Sequence, residues 1–170
     1  MVLILVLLGG CAGNSATCAG KTWDLRTPPS RVAVDMPPGK AWVAWECDDP
    51  QEMTFELPDH TVLSMPSTLV TFDAYSAPHP ETGDPTTADV HTGPISLDVA
   101  VETASEILTK LDTDTSEIAQ WQQASASSGT DTVKSPFIRS RVGYLGVEVQ
   151  TTFSPLSNNA HVHVIFSMSD

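Results

Sequence analysis

Two stretches near the C-terminus alternate apolar and polar residues, and no other feature restricts the fold of this chain as strongly. Leu145, Val147, Val149, Thr151 and Phe153 fall on one side of an extended chain, with Glu148, Gln150 and Thr152 on the other. Val162, Val164, Phe166 and Met168 repeat the pattern, opposite His161, His163, Ile165 and Ser167. Successive side chains of a strand point to opposite sides, so a period of two marks strands with one buried and one wet face. The link over residues 154–159 is short enough for a hairpin.

The N-terminal half also reads as strands. Residues 31–36 alternate, with Val32 and Val34 on one face. Pro37-Pro38-Gly39 supplies a turn, and residues 41–46 run as a second strand, which together predict a hairpin. Trp42 and Trp45 then point to opposite faces of that second strand, so only one of them is expected to be fully buried. Residues 52–57 give a third strand in which Met53, Phe55 and Leu57 share a face, and residues 60–63 and 68–75 continue the β-structure. Residues 76–94 carry prolines, glycines, Asp and Thr and predict a long irregular loop. Such loops inside a compact domain are often functional, which makes this segment the first place to look for a site.

Two helices are expected between these regions. Ser96 can cap a helix whose apolar residues Leu97, Val101, Ala104, Leu108 and Leu111 recur every three or four positions, with Asp98 well placed for the helix dipole. Asp114 and Glu117 have the spacing of a capping box ahead of a second helix, whose stripe is Ile118 and Trp121 and which should fade near Ser127-Ser128-Gly129. Several strands, a helix pair and a final hairpin predict a single α+β domain over residues 31–170, an antiparallel β-sheet with two helices packed on one face.

The extreme N-terminus is different. Val2 to Leu8 is an unbroken apolar run, followed by Gly9-Gly10-Cys11 and then by small and polar residues. A membrane-spanning helix needs roughly twenty apolar residues, whereas the core of a signal peptide needs only about 7–15. Residues 1–10 are therefore expected to be an export signal. Leu8-Gly9-Gly10-Cys11 resembles the lipobox of bacterial lipoproteins, an aliphatic residue and two small residues before a cysteine; no basic residue precedes the run, a departure from the usual signal. The resemblance implies that Cys11 receives a diacylglycerol, that the bond before it is cut, and that the protein sits on the extracytoplasmic face of a cell membrane. Residues 11–30, mostly small, polar or proline with Trp23 and Leu25 as the only large apolar side chains, then form a lipidated tether. The general organisation is similar to that of small envelope lipoproteins of actinobacterial type.

With Cys11 given to lipid, Cys18 and Cys47 remain as a pair, and a disulfide between them is expected in an oxidising compartment. It would stabilise the fold by about 3–4 kcal/mol on the chain-entropy account. There is no Cys-x-x-Cys and no closely spaced ligand pair that would favour a redox centre or a structural zinc site.

Charge narrows the partners. The 170 residues include 21 acidic and 8 basic ones, a formal charge of −13 spread along the chain. Binding to nucleic acid needs clustered Lys and Arg, and only Arg139 and Arg141 lie close together, so no nucleic-acid partner is expected. The same charge opposes flat contact with an anionic lipid surface and leaves the lipid on Cys11 as the membrane contact. Arg139 and Arg141 could pair with an anionic ligand, but pairing with Glu148 or other surface acids is the favoured expectation.

Chemistry is sparse. His161 and His163 alternate on a strand and so project from one face, a spacing that metal sites use, and the loop offers His79, Glu81, Asp84, Asp89 and His91 as further ligands for Zn or Cu. Plain polar surface is the competing reading of the same histidines. No Gly-x-Ser-x-Gly elbow and no Gly-rich phosphate loop is present. A hydrolase acting through a carboxylate pair has no motif to support it. The leading expectation is thus a non-catalytic envelope lipoprotein that binds an envelope protein or a small ligand, without a resident cofactor, and the alternative is a metal-binding lipoprotein using His161, His163, His79 and His91.

Overall fold

A computed structural model describes residues 20–168. Cys11, Cys18 and the expected signal at residues 1–10 lie outside the described residues. The rest is mostly β-structure: one sheet of eight strands with two helices, an α+β arrangement. The strands are β1 (Thr22–Asp24), β2 (Trp42–Glu56), β3 (Val62–Asp73), β4 (Thr87–His91), β5 (Val133–Lys134), β6 (Ile138–Val142), β7 (Leu145–Ser154) and β8 (Asn159–Ser167). Helices α1 (Leu97–Lys110) and α2 (Ser116–Ala126) lie between β4 and β5 in sequence. The sheet order is β1-β2-β3-β4-β8-β7-β5, with β6 also paired to β7, and only the β1–β2 pair is parallel. None of the described helices is long and apolar enough to cross a membrane.

The C-terminal hairpin forms as its alternation requires. Leu145, Val147, Val149, Thr151 and Phe153 are buried, as are Val162, Val164, Phe166 and Met168, while the intervening residues stay half-exposed. β7 and β8 pair antiparallel from Gly146↔Ser167 to Ser154↔Asn159. The N-terminal half departs from expectation in four places, three of them from Arg31 onward.

First, residues 31–35 are turn rather than strand, so the hairpin with residues 41–46 does not form. Asp35 adopts a left-handed backbone (φ 51°), Met36 N–H closes onto the Arg31 carbonyl, and Val34 enters the core while Val32 is 84% exposed. Residues 42–46 instead pair with Leu69–Asp73 of β3. Trp42 and Trp45 do part as expected: Trp42 is 51% exposed and Trp45 packs against the core.

Second, the two expected strands at residues 41–46 and 52–57 are one long strand, β2, broken by an irregularity between Glu46 and Gln51. Extra residues in one strand of a pair bend it and can reset which side chains face inward. β3 shows the reset: Leu63, Met65 and Ser67 are buried before it and Val70, Phe72 and Ala74 after it, which leaves Leu69, Thr71 and Asp73 on the wetter face.

Third, the expected loop over residues 76–94 contains a central strand. β4 is hydrogen-bonded between β3 and β8, with Ala88 and Val90 fully buried. The irregular part before β4 is tied down by Arg31. Its guanidinium donates to the carbonyls of Pro80 (3.2 Å), Gly83 (2.8 Å), Pro37 (2.9 Å) and Lys40 (2.5 Å), and Arg31 N–H donates to Asp84 (2.9 Å).

The folded chain also begins before Arg31. β1 lies within the stretch expected to be tether, and Trp23 and Leu25 are buried. Trp23 stacks on Phe55 (5.3 Å, 15°), Phe55 meets Phe166 (5.0 Å), and the Tyr144 hydroxyl donates to the Leu25 carbonyl at 2.7 Å. Burial of a large apolar body, not its position in a polar segment, decides where the domain starts.

The helices are where the periodicity puts them. Ser96 accepts from Val99 N–H at the start of α1, and Asp98 stands in the first turn. The buried stripe is Ala100, Thr103, Ala104, Ile107 and Leu108, rotated slightly from the expected one, so that Leu97 and Val101 are only partly buried. The capping box of α2 does not form: Thr115 is the cap residue without a side-chain cap bond, and Asp114 accepts from both Ser116 N–H and its hydroxyl in a local turn. Ile118 and Trp121 are buried as expected. α1 packs against β3, β7 and β8, and α2 against α1, β5 and β7.

Phe55 joins Trp23 to Phe166 across the sheet, so Phe55→Ala should cost about 3–5 kcal/mol of unfolding free energy in a denaturant titration. Val32→Ala, on an 84% exposed side chain, should stay within about 0.5 kcal/mol.

Candidate metal centre

The site is a product of the β4–β8 pairing. On β4, burial of Ala88 and Val90 sends the side chains between and after them, Asp89 and His91, to the opposite face. On β8, burial of Val162 and Val164 does the same to His161 and His163. The antiparallel register sets His91 directly opposite His163 and Asp89 opposite Ile165. Directly opposed side chains have Cβ atoms about 4.5–5.5 Å apart.

The result is a compact triad. The imidazoles of His91 and His163 stack at 4.0 Å with planes 14° apart. His163 Nε2 lies 2.9 Å from Asp89 Oδ1, with both side chains less than a third exposed. One ligand atom from each of Asp89, His91 and His163 lies within 4.8 Å of the others. Phe137 meets His163 edge-on at 6.3 Å and walls one side. The segment carrying it is held to β7, because Gln150 donates to the Ser135 carbonyl and the Ser135 hydroxyl accepts from Thr151 N–H.

Electrostatics favour a neutral ring at His91. Burial penalises its charged form, and the nearby His163 and His161 oppose a further positive charge, so its pKa lies below the ordinary histidine value; Asp89 pulls only partly the other way. A neutral imidazole has a free lone pair, which is the form that binds metal. Burial likewise pushes the Asp73 carboxyl on the neighbouring strand upward, with Asp89 adding to the effect.

Two imidazoles and a carboxylate suit Zn and Cu. Metal–ligand bonds of about 2.0–2.2 Å at tetrahedral angles place donor atoms roughly 3.3–3.5 Å apart. The His163–Asp89 separation would therefore open by roughly 0.5 Å on loading, a change that side-chain torsions absorb without moving the strands. An imidazole binds metal through a lone pair in its ring plane, so the stacked rings of His91 and His163 must turn about χ2 before both nitrogens face one ion; with that rotation the donor set suits a mononuclear site with room for a further ligand.

Of the residues proposed from sequence, His163, His91 and Asp89 come together. His161 stands on the same strand face but outside the triad. His79 is exposed, and its carbonyl accepts from Thr82 and Gly83 N–H. Glu81 is exposed and Asp84 is occupied by Arg31 N–H. Arg139 pairs with Glu148 at 2.7 Å, and Arg141 donates to the Gly143 carbonyl. Cys47 lies on β2, partly buried against the core. The grouping of Asp89 with His91 was visible as a five-residue alternation, Thr87, Asp89 and His91 against Ala88 and Val90, masked by the turn-rich composition around it.

The lowered His91 pKa sets a pH dependence in the metal-free protein. Between the folded and unfolded pKa values the unfolded chain binds more protons, so stability rises with pH there and is lost as pH falls below about 6.5. A histidine NMR titration should give His91 a midpoint below about 6.5, and replacing His91 by Gln should shallow the fall in unfolding free energy below that pH. An ordinary His91 midpoint would contradict the buried, like-charged environment.

Comparison with known proteins finds no matching family model, no matching curated protein and no matching solved structure.

Proposed function

We propose that this chain is a lipid-anchored module on the outer face of a bacterial membrane that binds a divalent transition metal through Asp89, His91 and His163. The observation that carries the metal reading is the triad itself, whose ligand atoms lie within 4.8 Å of one another on paired strands. Ligands on a sheet are held more firmly than ligands on loops, which limits the reorganisation that binding must drive. In this reading α1 and α2 cover one face of the sheet and leave the ligand-bearing face open to solvent and to a partner or small ligand in the envelope. The module binds rather than catalyses.

The location rests on Leu8-Gly9-Gly10-Cys11 and its resemblance to a lipobox. Two acyl chains on Cys11 would give firm anchoring, each buried methylene adding roughly 0.8 kcal/mol. A Cys18–Cys47 disulfide, also proposed, would tie the tether to β2 and with it to the sheet.

Two experiments test these statements separately. Calorimetry of the purified protein should show one equivalent of Zn²⁺ or Cu²⁺ bound at micromolar concentration or tighter. Asp89→Ala, His91→Ala and His163→Ala should each weaken binding by more than about 10-fold, at least as much as loss of a ligand's supporting hydrogen bond does. Absence of binding up to millimolar metal would end the metal reading. Cys11→Ser should move the protein from the membrane fraction to the soluble fraction in a bacterial host, and retention in the membrane would refute anchoring through Cys11.

A further inference from the structure

We infer that His161 supplies a fourth ligand to the metal held by Asp89, His91 and His163, giving the bound ion three imidazoles and one carboxylate. The inference rests on the three-ligand reading and gives it a chemical character. A four-coordinate site with all positions filled by protein holds or carries a metal, whereas a catalytic site keeps a position open for water or substrate.

The placement follows from strand geometry. His161 and His163 are two residues apart on β8 and project from the same face. His163 is the direct cross-strand partner of His91, which makes His161 the diagonal neighbour of His91. Diagonal pairs lie about 7–8 Å apart in Cα, still within reach of aromatic and long side chains.

His161 is also free to turn. It is half-exposed, its partner on β7 is the short side chain of Thr152, and among the described residues no hydrogen bond fixes its imidazole. A change of rotamer brings a nitrogen from its present position outside the triad towards the open side of the ion.

The chemistry selects the cargo. Three neutral nitrogens and one carboxylate suit Cu(II) and Zn(II), and they disfavour Mg²⁺ and Ca²⁺, which prefer all-oxygen sets.

The test uses the full chain loaded with one equivalent of Cu²⁺, examined by electron paramagnetic resonance, with Co²⁺ absorption as a measure of coordination number. Wild type should show three nitrogen ligands. His161→Ala, at a half-exposed position and checked for folding by circular dichroism, should keep one binding site, lose one nitrogen from the spectrum, take up water and weaken affinity by about 10–100-fold. His161→Gln should behave like His161→Ala. If both variants match wild type in affinity and nitrogen count, His161 is not a ligand and the three-ligand reading stands alone. If wild type itself binds neither Cu²⁺ nor Co²⁺, both readings fall.

Discussion

The pairing of β4 with β8 holds the molecule together. β1, β2 and β3 form one block of the sheet, and β5, β6, β7 and β8 form another; β4 is bonded to β3 on one edge and to β8 on the other. It joins residue 91 to residue 163, far apart in sequence, so loop-closure entropy opposes the contact until the core repays it. The repayment comes from Ala88 and Val90 packed with Val162, Val164 and Phe166, all fully buried. The same rungs that bury these residues on one face force Asp89, His91 and His163 together on the other. Stability of the core and proximity of the three side chains are two results of one register.

Several ion pairs among the described residues lie at the surface, whereas the triad is more covered. Lys110–Glu106, Arg139–Glu148 and Arg26–Asp24 are partly or largely exposed pairs, which contribute little because water and salt screen them. The Asp24 carboxyl is held down to about 2 by the Arg26 hydrogen bonds, a local effect at the exposed end of β1. At the triad the side chains are mostly covered, so His91 loses hydration without gaining a partner that favours its charge as strongly. The metal reading rests on the placement of two imidazoles beside a carboxylate.

Arg31 shows how irregular segments are made rigid without secondary structure. Four carbonyls, from Pro37, Lys40, Pro80 and Gly83, converge on one guanidinium. The Lys40, Pro80 and Gly83 carbonyls would otherwise need another donor, while the Pro37 carbonyl also accepts from Lys40 N–H. The planar fork of five donors suits such a cluster, which a lysine could not reproduce. The clamp fixes the approach to β4 and therefore the start of the strand that bears Asp89 and His91.

The sequence by itself determined the elements whose patterns are long and regular. The period-two alternation of residues 145–153 and 162–168 specified the C-terminal hairpin and its buried face, and the three-to-four spacing after Ser96 specified α1. In each case many side chains must be placed on one side at once, and only one backbone geometry does that. It also set the side of the strand on which His161 and His163 lie, because the apolar residues flanking them fix which way they point. Tertiary structure alone decided the rest. Residues 31–36 became a turn because Asp35 went left-handed and Val34, not Val32, found the core. Trp23 and Leu25 drew part of the expected tether into the domain, and five residues in a proline-rich segment became a central strand because two neighbouring strands were there to pair with it. Short strands take their stability from neighbours rather than from local preference. His91 met His163 by cross-strand register across the sheet, a relation between distant segments that spacing along the chain does not encode.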